Sequence, residues 1–135
     1  MNNDVQTYSR GQLDRLTGVK GETIRYYENC GLLPAPPRSA GGHRLYSDNH
    51  KERLIFIRRC RELGFTLNET EGLLGLADTQ EHSCEQVRQV TVTHLTDVRR
   101  KIKDLRKMER TLRMMVEDCE TNTSPHCPII DSLLS

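Results

Sequence analysis

The segment from Cys84 to Cys119 contains neither Pro nor Gly, and its apolar residues recur at alternating intervals of three and four. This heptad pattern predicts one continuous helix about 50 Å long with a single apolar stripe. A chain of 135 residues is one domain by length, and the rest of it is too small to cover that stripe. We therefore predict that a second copy of the chain covers it; the alternative is a helix within an intrachain bundle. The stripe consists of Leu95, Val98, Ile102, Leu105, Leu112 and Val116, with Glu109 in one position.

The first third of the chain has the signals of two short helices joined by a turn. Ser9 and Gln12 form a capping-box pattern, which predicts a helix over residues 9–16 that ends near Gly18. The stretch "GETIRYYENCG" predicts a second short helix stopped by Gly31. Two short helices around a Gly-containing turn are typical of a helix-turn-helix.

A basic hairpin is predicted directly after these helices. Three prolines and the pair Gly41-Gly42 exclude a helix here, and "HRLYS" can pair back across the turn as a short strand. We call residues 38–47, "RSAGGHRLYS", the wing; the alternative is an ordinary connecting loop. Residues 1–60 hold ten Lys and Arg against six Asp and Glu, whereas residues 61–135 hold ten against thirteen. The N-terminal part is thus the better candidate for contact with a polyanion.

The remaining elements complete an all-α fold with a small β wing. Ser47 is expected to cap a helix over residues 48–63, and Thr66 with Glu69 forms a second capping box for a helix that runs to Leu76. The final "PIIDSLL" predicts a short helix with Pro128 in its first turn. We predict a winged helix-turn-helix DNA-binding domain with a second helix pair over 7–78, a dimerisation helix over 82–118, and, over 119–135, a loop that begins at Cys119 and leads to a short helix.

Cysteine usage restricts the chemistry. No secretory signal or membrane-spanning segment is visible, which predicts a cytoplasmic chain without membrane contact, where stable disulfides are rare. Five cysteines is also an odd number, so metal binding or redox chemistry gains weight over a disulfide framework. Cys30 and Cys60 lie at helix positions and are expected to be buried structural thiols. The candidate ligands are Cys84, Cys119 and Cys127.

The string "ETIRYYENCGLLPAPPRSAGGHRLYS", with the later "FIRRCRELGFTLNE", resembles the MerR family of bacterial transcription regulators over nearly the whole chain, from Tyr8 to Leu134. The resemblance implies a winged helix-turn-helix followed by a long antiparallel coiled-coil dimerisation helix. Base readout is expected from the second helix and phosphate contacts from the wing, whereas Tyr26 is expected in the core. The candidate DNA-binding residues are Lys20, Glu22, Thr23, Arg25, Tyr27, Arg38, His43, Arg44 and Tyr46, the last as a support.

The resemblance also implies a mechanism. Such a homodimer sits on double-stranded promoter DNA whose spacer is too long for RNA polymerase. The inducer makes it bend and untwist the duplex so that the polymerase elements come into register, which is regulation through DNA deformation. In the family's metal-sensing branch, cysteines matching Cys119 and Cys127 flank a ligand loop, and a cysteine matching Cys84 comes from the opposite subunit.

Three thiolates favour soft ions, and a site without a compulsory fourth ligand suits trigonal Hg(II) or Pb(II). The three-cysteine pattern is most similar to that of the family's mercury-responsive regulators. Cd(II), Pb(II) and Zn(II) stay open, with His82 or His126 as a possible extra ligand.

Three other classes of function compete with a metal sensor. A redox sensor would join Cys119 to Cys127 in a reversible disulfide, and a sensor of organic ligands would carry a large effector domain. An enzyme would need a nucleophile and base geometry that adjacent loop residues rarely reach, so we predict that the chain is not an enzyme.

Overall fold

The computed structural model describes residues 6–79, 84–121 and 125–134. These ranges hold six helices, which confirms the mostly helical fold class. The chain divides into two compact units, residues 1–87 and 88–135. The helices are α1 (Arg10–Thr17), α2 (Gly21–Asn29), α3 (Asp48–Glu62), α4 (Leu67–Thr79), α5 (Cys84–Thr121) and α6 (Pro128–Leu134).

The helix ends follow the capping signals of the sequence. At the start of α1, the backbone N–H of Gln12 donates to the Ser9 hydroxyl at 3.2 Å, and the Ser9 N–H donates to the Gln12 side chain at 2.8 Å. Thr66 and Glu69 make the same reciprocal pair before α4, at 3.1 and 3.0 Å. Both predicted capping boxes are therefore present, and each satisfies N–H groups that a helix start leaves without a partner.

The turn between α1 and α2 depends on Gly18, which closes α1 with a φ of 73°. The guanidinium of Arg58, on α3, donates to the Thr17 carbonyl at 2.8 Å, and a Cβ on Gly18 would lie 2.8 Å from the Arg58 Nη1 atom. On the other side of the turn, the Gly21 N–H donates to the Asp14 carboxylate at 3.0 Å. The turn is thus held by the side chain of Asp14, from α1, and by that of Arg58, from α3.

The core of the first unit lies where α1, α2, α3 and α4 meet the wing. Its largest side chains without exposed surface come from each of these parts, and α4 contributes Thr70 at 0% exposure and Leu74 at 4%. Tyr8 and Tyr46 pair as an isolated antiparallel bridge, with N–H to carbonyl distances of 2.8 and 2.9 Å. This bridge fixes the end of the wing against the start of the chain. The buried core residues include Leu13, Ile24, Leu33, Tyr46, Leu54 and Ile57.

His50 joins the wing to α3 from inside the core. It is 5% exposed, and its Nδ1 atom accepts a hydrogen bond from the Ser47 N–H at 3.1 Å. The Nε2 atom lies 2.9 Å from the Pro34 carbonyl, which can only accept. The ring is therefore the tautomer protonated at Nε2. The start of α3 thus takes a buried histidine where a capping box usually has Glu or Gln.

The wing holds less regular structure than predicted. Within the described residues, one isolated antiparallel bridge joins two residues of the wing, Arg38 and Arg44, whereas Tyr46 pairs with Tyr8 outside the wing. The Ser39 N–H donates to the His43 carbonyl at 2.7 Å, and Gly42 closes the turn with a φ of 81°. The chain therefore turns back on itself at Gly41-Gly42, but it forms a bridge there and not a pair of strands.

Helix α5 begins at Cys84, near the end of the first unit, and continues through the second unit to Thr121. Most of its apolar stripe is exposed. Leu105 and Leu112 are each 60% exposed, which decides that this chain alone does not cover the stripe. Toward the end of α5, an apolar groove of about 530 Å³ lies between α5 and α6, where Met108 and Met115 face Ile129 and Leu133. Among the described residues, no helix has both the length and the apolar character needed to cross a membrane.

Candidate functional site

The outward face of α2 presents the residues predicted to read base edges. Lys20 is the N-cap, and Glu22 and Arg25 are exposed, whereas Thr23 is half-buried. Ile24, with no exposed surface, points into the core between them. The helix therefore separates a buried face that anchors it from a polar face that can enter a groove.

The two adjacent tyrosines of α2 are arranged in the opposite way from our prediction. Tyr26, expected in the core, is 51% exposed, whereas Tyr27 is 8% exposed and belongs to the core. Neighbouring helical positions lie about 100° apart, so only one of the two rings can face inward. Any contact of Tyr27 with DNA is therefore limited to the small exposed part of the residue, and Tyr26 is the ring available at the surface.

The wing and the start of α1 form a basic recess of about 380 Å³. Arg38 donates to the Gly42 carbonyl at 2.8 Å and so keeps its charge beside the turn. His43 is exposed at the tip. Sequence reasoning missed Arg10, which joins this lining from a position 28 residues away from Arg38, because only the folded chain brings the two together. The recess is lined by Ser9, Arg10, Arg38, Gly42, His43 and Arg44, a set that can accept a phosphate group.

Tyr46 cannot contact DNA directly, because its side chain has no exposed surface. Its hydroxyl donates to the Glu28 carboxylate. Burial, together with this hydrogen bond, raises the pKa of Tyr46 to about 12. The same carboxylate accepts from the Nε atom of Arg44 at 3.3 Å. Tyr46 is thus a buried support for the wing, and Glu28 is a second residue that sequence reasoning missed.

The three candidate thiols are exposed and lie at the ends of helices. Cys84 is the first residue of α5, Cys119 lies in the last turn of α5, and Cys127 directly precedes α6. Cys84 belongs to the first compact unit and the other two to the second. Within the described ranges, no three His, Cys, Asp or Glu side chains of one chain come together as a metal site. His126 is exposed beside Cys127, and His82 lies outside the described residues.

The other two cysteines differ from each other. Cys60 is 7% exposed, as predicted, and burial raises the pKa of its thiol. Cys30 is exposed, so the expectation that it is a buried structural thiol is wrong. It caps the end of α2 at the surface, next to Tyr26, whose pKa is raised by a hydrogen bond between the two side chains.

Comparison with known proteins gives consistent matches over most of the chain. The family described as "MerR HTH family regulatory protein" matches residues 8–75, and that described as "MerR, DNA binding" matches residues 51–115. The mercuric resistance operon regulatory protein of Bacillus cereus is 46% identical over 125 residues, which is 92% of this chain and 95% of that protein.

Two solved structures are similar in both sequence and fold. A transcription regulator from Ralstonia metallidurans in complex with lead(II) has a TM-score of 0.79 and 42% identity, covering 93% of this chain and 98% of its own. A dual-function transcriptional regulator from Bacillus megaterium in complex with mercury(II) has a TM-score of 0.71 and 41% identity, covering 92% and 96%.

Proposed function

Because the chain belongs to the MerR family of helix-turn-helix transcription regulators, we propose that it switches transcription in response to a soft divalent metal ion. Its relatives are regulators of transcription, which confirms the prediction that it is not an enzyme. In this proposal the chain acts as a homodimer on promoter DNA, together with RNA polymerase, in the cytoplasm.

The DNA-binding part of the proposal depends on the face shared by α2 and the wing. Lys20, Glu22, Thr23 and Arg25 are proposed to meet base edges, with Glu22 able to accept from a cytosine amino group. Arg38, His43 and Arg44 are proposed to meet phosphates, and the basic recess that they line supports this. Phosphate contacts supply affinity and salt dependence, whereas base contacts supply the choice of promoter.

The observation that carries the sensing part is the exposure of three thiols at the two ends of α5 and directly before α6. Cys84, Cys119 and Cys127 are proposed as the ligands, with Cys84 supplied by the opposite subunit. A thiolate set of this kind favours soft ions over Mg²⁺ or Ca²⁺. An exposed thiol is also accessible to an ion from solvent, which a buried one such as Cys60 is not.

We propose Hg(II) as the first candidate, supported by the relative from Bacillus cereus that is named for mercuric resistance. Identity alone does not select the ion, because the lead-bound and mercury-bound structures are equally similar to this chain, at 42% and 41%. Cd(II), Pb(II) and Zn(II) are the alternatives. Zn(II) would need a fourth ligand to complete its tetrahedron, and His126 beside Cys127 is a candidate.

The proposed switch requires the ion to bind one conformation of the dimer more tightly than the other, since equal affinity for both would shift nothing. A site that draws Cys84 from one subunit and Cys119 and Cys127 from the other meets this requirement. In this proposal its three sulfur atoms reach one ion only in one relative orientation of the two subunits. The change in that orientation would then bend and untwist the duplex, and the contacts of the two wings would offset the deformation energy.

The test is a titration of the full-length, anaerobically reduced protein with Hg(II), Cd(II), Pb(II) and Zn(II) in turn, each against a small thiol competitor. Thiolate-to-metal charge-transfer absorption reports binding. We expect Hg(II) to remain bound under strong competition, and Cys84→Ser, Cys119→Ser and Cys127→Ser each to lose it. Cys30→Ser is the matched control, because it removes an exposed thiol that is not a proposed ligand.

The other outcomes are distinct. Firm binding of Pb(II), Cd(II) or Zn(II) in place of Hg(II) moves the assignment to that ion while keeping the sensor. A protein that binds none of the four, but releases its promoter on oxidation and recovers it on reduction, is the thiol redox sensor with a disulfide between Cys119 and Cys127. Equal losses in Cys30→Ser and Cys84→Ser would contradict the proposed ligand set.

A further inference from the structure

The carboxylate of Glu28 joins the last turn of α2 to the wing. The Tyr46 hydroxyl donates to its Oε1 atom, and the Nε atom of Arg44 lies 3.3 Å from its Oε2 atom. Each oxygen therefore serves a different partner, and the two partners are two positions apart on the wing. The side chain of Glu28 is 9% exposed and that of Arg44 is 26% exposed, so this ion pair is shielded from water on most sides.

The Tyr46 end of this arrangement is rigid. The ring has no exposed surface, and the Tyr46 backbone is paired in both directions with Tyr8 at 2.8 and 2.9 Å. With a pKa raised to about 12 by burial and by its bond to Glu28, the phenol stays protonated and remains a donor at neutral pH. Glu28 is therefore held in place by a fixed group, and it can in turn hold Arg44.

We propose that Glu28 is a positioning residue for DNA binding, which sets the wing residue Arg44 at a fixed place relative to the outward face of α2. Base contacts from α2 and a phosphate contact from Arg44 then meet one duplex in a single register. This inference rests on the proposed DNA-binding function. It adds a residue that does not touch DNA and acts through one that does.

The sign of the charge makes the inference testable. A carboxylate beside the DNA-binding face repels the polyanion, so its removal raises the affinity for any duplex if charge alone matters. A positioning role predicts the opposite for the preferred duplex, because a guanidinium that is ordered in advance loses less side-chain freedom on binding. The ratio of specific to non-specific affinity therefore separates the two effects.

The experiment uses the full-length reduced protein and two probes of equal length. One is the tightest duplex recovered by selection from a random pool, and the other is a random-sequence duplex. Glu28→Gln keeps an acceptor for Tyr46 but removes the charge that pairs with Arg44. We expect it to weaken binding to the selected duplex about tenfold, with binding to the random duplex unchanged or tighter. Glu71→Gln, which neutralises an exposed carboxylate on α4, is the matched control and should leave the ratio unchanged.

A second measurement separates positioning from a general loss of structure. In an Arg44→Ala background, Glu28→Gln should change the ratio by less than about twofold, because the group on which it acts is absent. The inference would be overturned if Glu28→Gln weakened binding to both duplexes by the same factor. It would also be overturned if Glu28→Gln kept its full effect in the Arg44→Ala background. Failure of the unchanged protein to distinguish the two duplexes would contradict the proposed DNA-binding function itself and not only the role of Glu28.

Discussion

Arg44 is the residue at which the phosphate-binding proposal is most directly tested, since it lines the basic recess together with Arg10 and Arg38. Arg44→Ala is expected to weaken binding to all duplexes and to reduce the slope of log K against log salt by about one, because one phosphate contact fewer displaces fewer counterions. Fluorescence anisotropy over a series of salt concentrations measures the slope. Arg59→Ala removes an exposed arginine from α3 and is the charge-matched control; an unchanged slope in Arg44→Ala would exclude the contact.

Tyr46 predicts a specific pH dependence of stability. Its folded-state pKa of about 12 lies above the usual 10.0, so its contribution is complete below pH 10.0 and is lost as the pH rises through about 12. Tyr46→Phe should lower the free energy of unfolding at pH 8 by about 1–3 kcal/mol, since it leaves a buried carboxylate oxygen without its donor. The difference from the unchanged protein should then shrink toward alkaline pH.

Urea unfolding from pH 8 to pH 11 measures that difference, with Tyr27→Phe as a control that removes a phenol from the same core. A constant difference across this range would contradict the assignment of the raised pKa to Tyr46.

The two tyrosines of α2 show what the sequence cannot decide at this scale. Both residues of "YY" are large and amphipathic, and their inward or outward placement depends on how α2 rotates against α1 and α3.

At the scale of elements, two left-handed glycines separate local from tertiary effects. Gly18 and Gly31 have φ values of 73° and 82°. A Cβ at Gly31 meets nothing within 4 Å, whereas one at Gly18 meets the Arg58 guanidinium at 2.8 Å. Gly31→Ala should lower the free energy of unfolding by roughly 1–2 kcal/mol, because alanine disfavours a left-handed backbone. Gly18→Ala should lower it by about 1 kcal/mol more, because Arg58 must leave the Thr17 carbonyl.

Thermal and urea unfolding of the two variants give the comparison, and equal losses of stability would show that Arg58 adjusts without cost.

The helices themselves were predictable, because caps, glycines and apolar spacing are local signals and fall within a few residues of the observed ends. The contact of Arg58 with α1 was not predictable, since it joins positions 41 residues apart with no mark in either segment. The strand content of the wing was overestimated for a related reason: the same sequence pattern is compatible with a single bridge and with a pair of strands.

The exposed stripe of α5 gives a prediction about association. Leu105→Lys should weaken the proposed homodimer, because a charge buried in the seam without a partner is costly. Thr96→Lys adds the same charge at an exposed position of α5 outside the stripe and is the control. Sedimentation equilibrium of the reduced protein measures the dimer constant. A dimer that tolerates Leu105→Lys would show that the seam lies elsewhere.

At the scale of the whole molecule, the metal-site proposal predicts complementation between subunits. Cys84→Ser and Cys119→Ser homodimers should each fail to bind Hg(II), whereas a heterodimer of the two should hold one ion. In that heterodimer one site combines the intact Cys84 of one subunit with the intact Cys119 and Cys127 of the other. Differentially tagged subunits, purified as the mixed species and titrated with Hg(II), give the stoichiometry. A heterodimer that binds no ion would exclude a site shared in this way.

The thiols show how far a sequence leads at this scale. Their number and spacing can be read from the sequence, and the folded chain adds that Cys84, Cys119 and Cys127 are at the surface. The ligand set is not visible in one chain, because the described residues bring no three candidate ligands together. Cys30 was misjudged because the end of a helix can face the core or solvent, and apolar content alone does not distinguish them.

The separation of a buried face and an exposed face on α2 has a consequence for how such a regulator can evolve. Ile24 and Tyr27 keep the helix in place, while Glu22 and Arg25 lie outside the core. Replacing the outer pair alters the proposed reading face and opens no cavity, so a duplicated gene can acquire a new promoter by a few codon changes. The thiols at Cys119 and Cys127 belong to a different compact unit. Since the third proposed ligand, Cys84, shares a unit with α2, the proposed promoter choice can change through the outer residues of α2 while all three thiols are kept.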